Sequence, residues 1–289
     1  MKKAFAAALA AALLTGLLSA CAGGAGFNSG KEIGVVTRED GSGTREAFIE
    51  LFGILEKGGG GRRKDHTTKE AVTAKQTDIM IGNVARNRYA AGYISLGSMN
   101  GSVKALDIEG VPASIENVKN GSYVIARPFY VATKGEARGL AKHFIDFILS
   151  AQGQAVVEAR GHIPVGVSAF ACEPGPMEGK LTVTGSSSVA PVMEKLREAY
   201  LAVNPAAVIE VQQSDSSAGL LDARDGNCGL AMSSRELKDS ELESLVPVRI
   251  ALDGLAVIVH PENPLDTLTR EQVRSIFTGE IFTWDGVIT

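Results

Sequence analysis

On either side of a stretch at residues 166–180 that holds two prolines and three glycines, the chain runs through the same alternation of short apolar strands and amphipathic helices. That alternation commits each half to an α/β layer architecture in which strands lie mostly parallel and helices cover the faces. Before the stretch, residues 31–37 read as a strand and 44–55 as a helix with Ala47, Phe48, Leu51 and Phe52 at helical spacing. Residues 68–75 read as helical, 78–82 and 91–95 as short strands, and 124–133 as a longer extended run. Residues 140–158 form the clearest helical region, divided near 150–153. After the stretch, 181–184, 208–212, 229–232 and 250–260 read as strands, with helices at 189–202, 217–225 and 269–277 and a closing segment at 281–284. Thr269 is a plausible N-cap.

Two turns in this pattern stand out. Residues 38–48 read R-E-D-G-S-G-T-R-E-A-F, and T-G-S-S-S-V-A-P follows at 184–191. Both are small, hydroxyl-rich turns that open onto a helix, where free backbone N–H groups and the helix dipole favour an anion. In a parallel sheet such turns gather at the carboxyl ends of the strands. The glycine-rich, basic segment at 58–64 lacks the G-x-x-x-x-G-K-[ST] spacing of a phosphate cradle and reads as a solvated hairpin or connection.

With 289 residues, 45% of them hydrophobic and 21% charged, the chain is long enough for two cores. A net charge of −4 argues against a nucleic-acid surface. Lys2 and Lys3 precede an apolar run from Ala4 to Leu18 that ends in Leu18-Ser19-Ala20-Cys21, the pattern of a bacterial lipoprotein signal over residues 1–21. Cleavage before Cys21 would leave its sulfur and new amino terminus to carry lipid, with 22–30 as a tether. The alternative, a secretory signal with a coincidental cysteine, still exports the protein. Cys172 and Cys228 show no metal-binding spacing, and either pair as a disulfide or stand apart.

The segments R-E-D-G-S-G-T-R-E-A-F, T-G-S-S-S-V-A-P-V-M-E-K-L, S-D-S-S-A-G, M-S-S-R-E-L, I-A-L-D-G-L-A-V-I-V, F-T-G-E-I and G-Y-I-S-L-G-S closely resemble those of the phosphate-binding proteins of Pst-type ABC importers. Their order differs from that family's usual one, in which the T-G-S-S-S-V segment comes first, and each block occurs once. The resemblance implies a two-lobed type II periplasmic-binding-protein fold, circularly permuted, with 166–180 bridging the family's usual ends. One lobe would be continuous over 130–250 and the other assembled from 27–125 plus 255–289. The extended runs at 124–133 and 251–260 would then be the hinge crossovers.

The same resemblance assigns a phosphate site. Arg38 offers a planar fork to two oxygens, Ser42 and Thr44 bring hydroxyls, and Gly43 lets the backbone approach. Ser187, Ser188 and Ser217 match donors from the opposite lobe. Ser234 stands where one well-known form of the family has an aspartate, which leaves selectivity between phosphate, sulfate and other tetrahedral oxyanions open. Asp40 is expected to orient Arg38, and Arg235 either contacts the ligand or pairs with Asp40 or Glu236. No cofactor or metal is expected, since His66, His143, His162 and His260 show no metal spacing; His143 and His162 are expected at the surface. No G-x-S-x-G elbow is present, and a phosphatase is disfavoured. The expected partner is a membrane ABC permease, served by an exported, lipid-anchored monomer. A receptor for another oxyanion, or an anion sensor or adhesion protein outside transport, is the alternative.

Overall fold

The computed structural model describes residues 26–58, 62–166 and 177–288, so the signal, Cys21 and Cys172 lie outside the described residues. The first part runs β1 (Gly34–Arg38), α1 (Gly43–Leu51), β2 (Leu55–Lys57), β3 (Arg63–Asp65), β4 (Val72–Ala74), α2 (Thr77–Arg86), β5 (Ala90–Ser95), β6 (Lys104–Ile108) and α3 (Ile115–Lys119). The middle comprises β7 (Ala126–Lys134), α4 (Gly139–Leu149), α5 (Ala151–Ala159), β8 (Ile163–Pro164), β9 (Gly179–Ser186), α6 (Ala190–Val203), β10 (Ala207–Ser214), α7 (Ser216–Asp225), β11 (Leu230–Ser233) and α8 (Asp239–Leu242). The 15-residue strand β12 (Leu245–Val259), β13 (Thr267–Leu268) and α9 (Arg270–Thr278) close the chain.

Among the described residues the main path of the sheet is β10-β9-β11-β7-β12-β5-β1-β4. Its outer triplets are parallel, whereas β7 and β12 run antiparallel to their neighbours at the centre. The buried apolar side chains separate accordingly. One core draws on Ile33 to Ile125 and returns with Leu255 to Val287; the other lies between Phe129 and Ile250–Ala251, extended by a small cluster around Leu220 and Leu245. In the first, Phe48 stacks on Tyr93 at 3.8 Å, with Phe277 edge-on to Phe48 and tilted to Tyr93. In the second, Tyr200 takes the edges of Phe144 and Phe147.

Strand β12 belongs to both cores. It pairs with β7 from Leu245 to Gly254 and with β5 from Leu255 to Val259, so its partner changes at the Gly254–Leu255 step. Its ladder with β7 shifts register between Arg249 and Ala251.

Local signals explain most boundaries. Ser42 caps α1, Ser150 both ends α4 and caps α5, and Thr269 forms a capping box with Gln272 at α9. Leu55–Lys57 pairs antiparallel with Arg63–Asp65 as β2–β3, and Gly58 N–H donates to the Arg62 carbonyl, while 59–61 lie outside the described residues. Two expectations are corrected. Residues 68–75 are not a helix: β-branched Val72 and Thr73 pair in parallel with Val36 and Thr37 of β1. Residues 78–82 are not a strand but part of α2, whose Thr77, Met80 and Val84 make a buried stripe, with Met80 and Val84 against Gly92 of β5. Gly82 and Asn83 break up the apolar pattern that would have signalled that helix.

Candidate functional site

The carboxyl ends of β1, β4, β9, β10 and β11 converge where the two cores face each other. Their end residues, or those just after them, are Arg38, Thr77, Ser186 to Ser188, Asp215 to Ser217, and Ser233 to Arg235. Parallel strands of a twisted α/β sheet place their following turns together in this way.

From the first core come α1's entry turn and Arg38. Gly41 has φ +89, the left-handed region open to glycine, and this folds the turn back so that its carbonyl accepts from Ser217 N–H at 3.2 Å. Arg38 is 2% exposed. Its Nε and Nη2 each donate to Glu39 at 2.8 Å, Nε also reaches the Ala74 carbonyl at 3.1 Å, and Nη2 donates to Ser187 Oγ at 3.0 Å. Its backbone N–H is held at 3.0 Å by the Tyr93 hydroxyl, whose pKa burial pushes up. The guanidinium is thus fixed in plane before any ligand meets it.

Around it lies a buried cluster of hydroxyls drawn from both sides. Thr44 and Ser188 share a hydrogen bond at 2.8 Å, Thr77 lies 3.4 Å from Ser187 and 3.3 Å from Ser188, and Ser186 and Ser234 are 2.9 Å apart. Ser216 Oγ accepts from Ser234 N–H at 3.1 Å. Gly43 touches the same place: a Cβ there would lie 2.5 Å from Ser216 Oγ and 2.7 Å from Ser234 Oγ. Among the described residues no carboxylate accepts a hydrogen bond from these hydroxyls.

Arg38, Gly43, Thr44, Ser187, Ser188 and Ser234 are therefore brought together, while Ser42 spends its Oγ on the α1 cap, accepting from Arg45 N–H at 3.3 Å. Other expectations are corrected. Asp40 does not orient Arg38; its side chain is 98% exposed and pairs with Arg45, and Glu39 does the orienting because β1 ends there with its side chain turned inward. Ser217 is displaced from the cluster and accepts from Arg235 Nη2, while its neighbour Ser216 points inward. Arg235 pairs with neither the Asp40 nor the Glu236 carboxylate but with Glu241 and Glu46, each at 2.8–2.9 Å. Burial alone would lower its pKa, but Glu241 and Glu46 outweigh that and raise it.

A second buried arginine lies behind the cluster and was missed. Arg127 donates from Nη1 to the Ser234 carbonyl at 3.1 Å and pairs with fully buried Asp253 at 3.3 Å. Burial lowers its pKa to about 10 despite that carboxylate. Asp253 also takes Ser95 Oγ at 2.8 Å and His162 Nδ1 at 3.1 Å, so His162 is interior and not at the surface as expected. The A-R-P-F and L-D-G sequences could have flagged Arg127 and Asp253 as charges inside apolar strands. A cavity of about 420 Å³, lined by residues including Thr77, Asn100, Arg160, Ser187 and Gln213, opens from the cluster. A larger one of about 820 Å³ lies by Lys31, Val72 and Phe282 and shares no residue with it.

A family model for the PBP superfamily domain matches residues 3–152 and 159–287. The phosphate-binding protein PstS 2 of Streptococcus agalactiae serotype V is 46% identical over 271 residues, covering 93% of this chain and 92% of that one. The chain belongs to the PstS family of the PBP superfamily. A crystal structure of a phosphate ABC transporter's phosphate-binding protein from Streptococcus pneumoniae TIGR4 superposes with a TM-score of 0.70 at 41% identity, over 89% of this chain and 99% of that one. Against PstS of Bacillus subtilis (strain 168) the similarity is shorter, 30% identity over 109 residues, 37% of this chain and 36% of the other. Like its PstS relatives the chain is thus an α/β binding protein, and the S. agalactiae match runs through nearly its whole length.

Proposed function

We propose that this protein captures inorganic phosphate between two lobes and hands it to a membrane ABC permease, without catalysing a reaction. One observation carries the reading: a buried, fully braced Arg38 faces hydroxyls contributed from both cores, in a place where, among the described residues, no carboxylate accepts from those hydroxyls. An arginine fork, serine and threonine hydroxyls and the amide end of α1 are the donors that a tetrahedral oxyanion needs in a desolvated site. In this reading the lobes are 27–125 plus 255–289 and 130–250, and β7 with β12 forms the hinge. Arg38, Ser42, Gly43 and Thr44 serve from one lobe, and Ser187, Ser188 and Ser234 from the other. Thr77, Ser186 and Ser216 join them. Ser217 and Arg235 brace the rim.

Ser234 decides how selective the site is. A hydroxyl donates to a fully ionised oxygen as readily as it accepts from a protonated one, so it gives phosphate no charge-based advantage over sulfate. Isothermal titration calorimetry on anion-free protein lacking residues 1–21, with phosphate and then sulfate at neutral pH, tests both points. One-to-one phosphate binding supports the receptor; equal sulfate binding broadens it to tetrahedral oxyanions; no heat with either refutes it.

The lipoprotein signal supports an exported receptor tethered at Cys21 beside its permease, and metabolic labelling with a fatty acid, abolished by Cys21→Ala, tests this. The order of the segments, with T-G-S-S-S-V following R-E-D-G-S-G-T, and the short similarity to the B. subtilis protein support a circular permutation relative to that relative. A chain rebuilt with 177–288 ahead of 26–165 should fold and bind phosphate as the native order does; failure to fold would count against it.

A further inference from the structure

We infer that Glu46 and Arg235 form a latch across the cleft that sets how long the bound anion is held; the anion's identity in this inference rests on the phosphate reading. Glu46 lies in the first turn of α1, on the first core, and Arg235 follows β11 on the second. Arg235 Nε approaches Glu46 Oε2 to 2.9 Å, off the N–H axis, so the contact is an ion pair more than a hydrogen bond. Lys238, also from the second lobe, adds its Nζ to the same oxygen at 3.5 Å. The stem of Arg235 packs on the same turn, where a Cβ on Gly43 would stand 3.1 Å from its Cγ.

What makes this pair a latch is that each partner is already held within its own lobe. Arg63 grips Glu46 Oε1 at 2.9 Å. Glu241 takes both terminal nitrogens of Arg235 at 2.8 Å, and the Glu236 carbonyl and Ser217 Oγ accept from them too. Opening the cleft therefore separates Glu46 from Arg235 without stranding either charge, and closing it brings together two groups whose rotamers are already fixed. A contact made in one state only, between preorganised partners, biases the equilibrium toward that state. Neither carboxylate reaches the hydroxyl cluster, so the pair acts on closure and leaves the anion's own hydrogen bonds alone.

Glu46→Gln tests this in the full mature chain, since it keeps the side chain's size and leaves Arg235 its Glu241 partner. Stopped-flow with inorganic phosphate should show dissociation about tenfold faster and association changed less than twofold, a tenfold change in affinity being about 1.4 kcal/mol. Without phosphate, small-angle X-ray scattering should show a larger radius of gyration for the variant than for the wild type. Equal dissociation rates with equal radii would overturn the latch, as would a loss of affinity carried by association. If the wild type binds no phosphate, the phosphate reading fails separately, and the radii alone decide the latch.

Discussion

Gly43 and Ser216, which are 173 positions apart in the chain, meet so closely that a Cβ on the glycine would lie 2.5 Å from the serine Oγ. Nothing about glycine's backbone freedom is at stake there, since Gly43 is the first residue of α1 and has ordinary negative φ. The constraint is the fit of α1's first turn against Ser216 and Ser234. Gly43→Ala should leave the fold intact and hold the cleft ajar, weakening phosphate binding by about tenfold or more, as a misfit of this size costs about 1–3 kcal/mol. Calorimetry alongside a thermal melt checks it: lost affinity with an unchanged melt is expected.

Arg38 is braced by Glu39 and the Ala74 carbonyl, so its removal has two effects. Arg38→Gln should cut phosphate affinity by at least a hundredfold, because charge-assisted hydrogen bonds contribute about 1.5–3 kcal/mol each. It should also leave the Glu39 carboxylate without its partner and lower the unfolding midpoint in urea. Arg38→Lys keeps the charge and loses the planar fork, and should recover stability more fully than affinity.

Asp253 is the counter-ion of a cation that cannot reach water. Asp253→Asn leaves Arg127 buried without its charge partner, a change worth about 3–5 kcal/mol of stability. Urea unfolding of the anion-free protein measures it directly, and a loss under about 1 kcal/mol would show that the Ser234 carbonyl suffices for Arg127 without a charge partner.

Glu241 gives a dependence on pH. Burial works to raise its carboxyl pKa, yet its bonds to Arg235 and the Lys238 N–H prevail and hold it below the ordinary 4.5. A carboxylate depressed in the folded state stabilises the fold above its unfolded pKa, and that contribution fades as pH falls through the folded value. Wild type should exceed Glu241→Gln in stability by roughly 2 kcal/mol at pH 7, with the gap closing as the pH drops below 4.5. Paired urea melts from pH 7 to pH 3 trace it, and a constant gap would contradict the assignment.

Much of the architecture was legible in the sequence because strand and helix periods differ so clearly. The capped helix at Thr269 and the divided helix near Ser150 follow from caps alone. What stayed hidden was set by partners distant in sequence. Val72–Thr73 became a strand because β1 offered a free edge, and α2 is helical over a stretch whose pattern Gly82 and Asn83 blur. At the candidate site, motif similarity picked out Arg38, Gly43, Thr44, Ser187, Ser188 and Ser234, which the fold brings together, but also Ser217, which it does not. The choice of Glu39 over Asp40, and of Ser216 over Ser217, depended on which neighbouring side chain each turn sends inward. Ser186 lies in the T-G-S-S-S-V motif without having been marked as a donor, and Thr77, which carried no motif of its own, joined the cluster only because the strand ends converge.

The sharing of β12 between the cores also orders events as the polypeptide emerges. Residues 129–251 hold everything the second core needs, whereas the first must wait for Leu255 to Val259, Phe277 and Trp284, the last of which donates its indole N–H to the Tyr89 carbonyl. Contacts that distant in sequence form late. The portion made first therefore stays unfinished longest, and its apolar segments stay uncovered until Leu255 to Val259, Phe277 and Trp284 arrive.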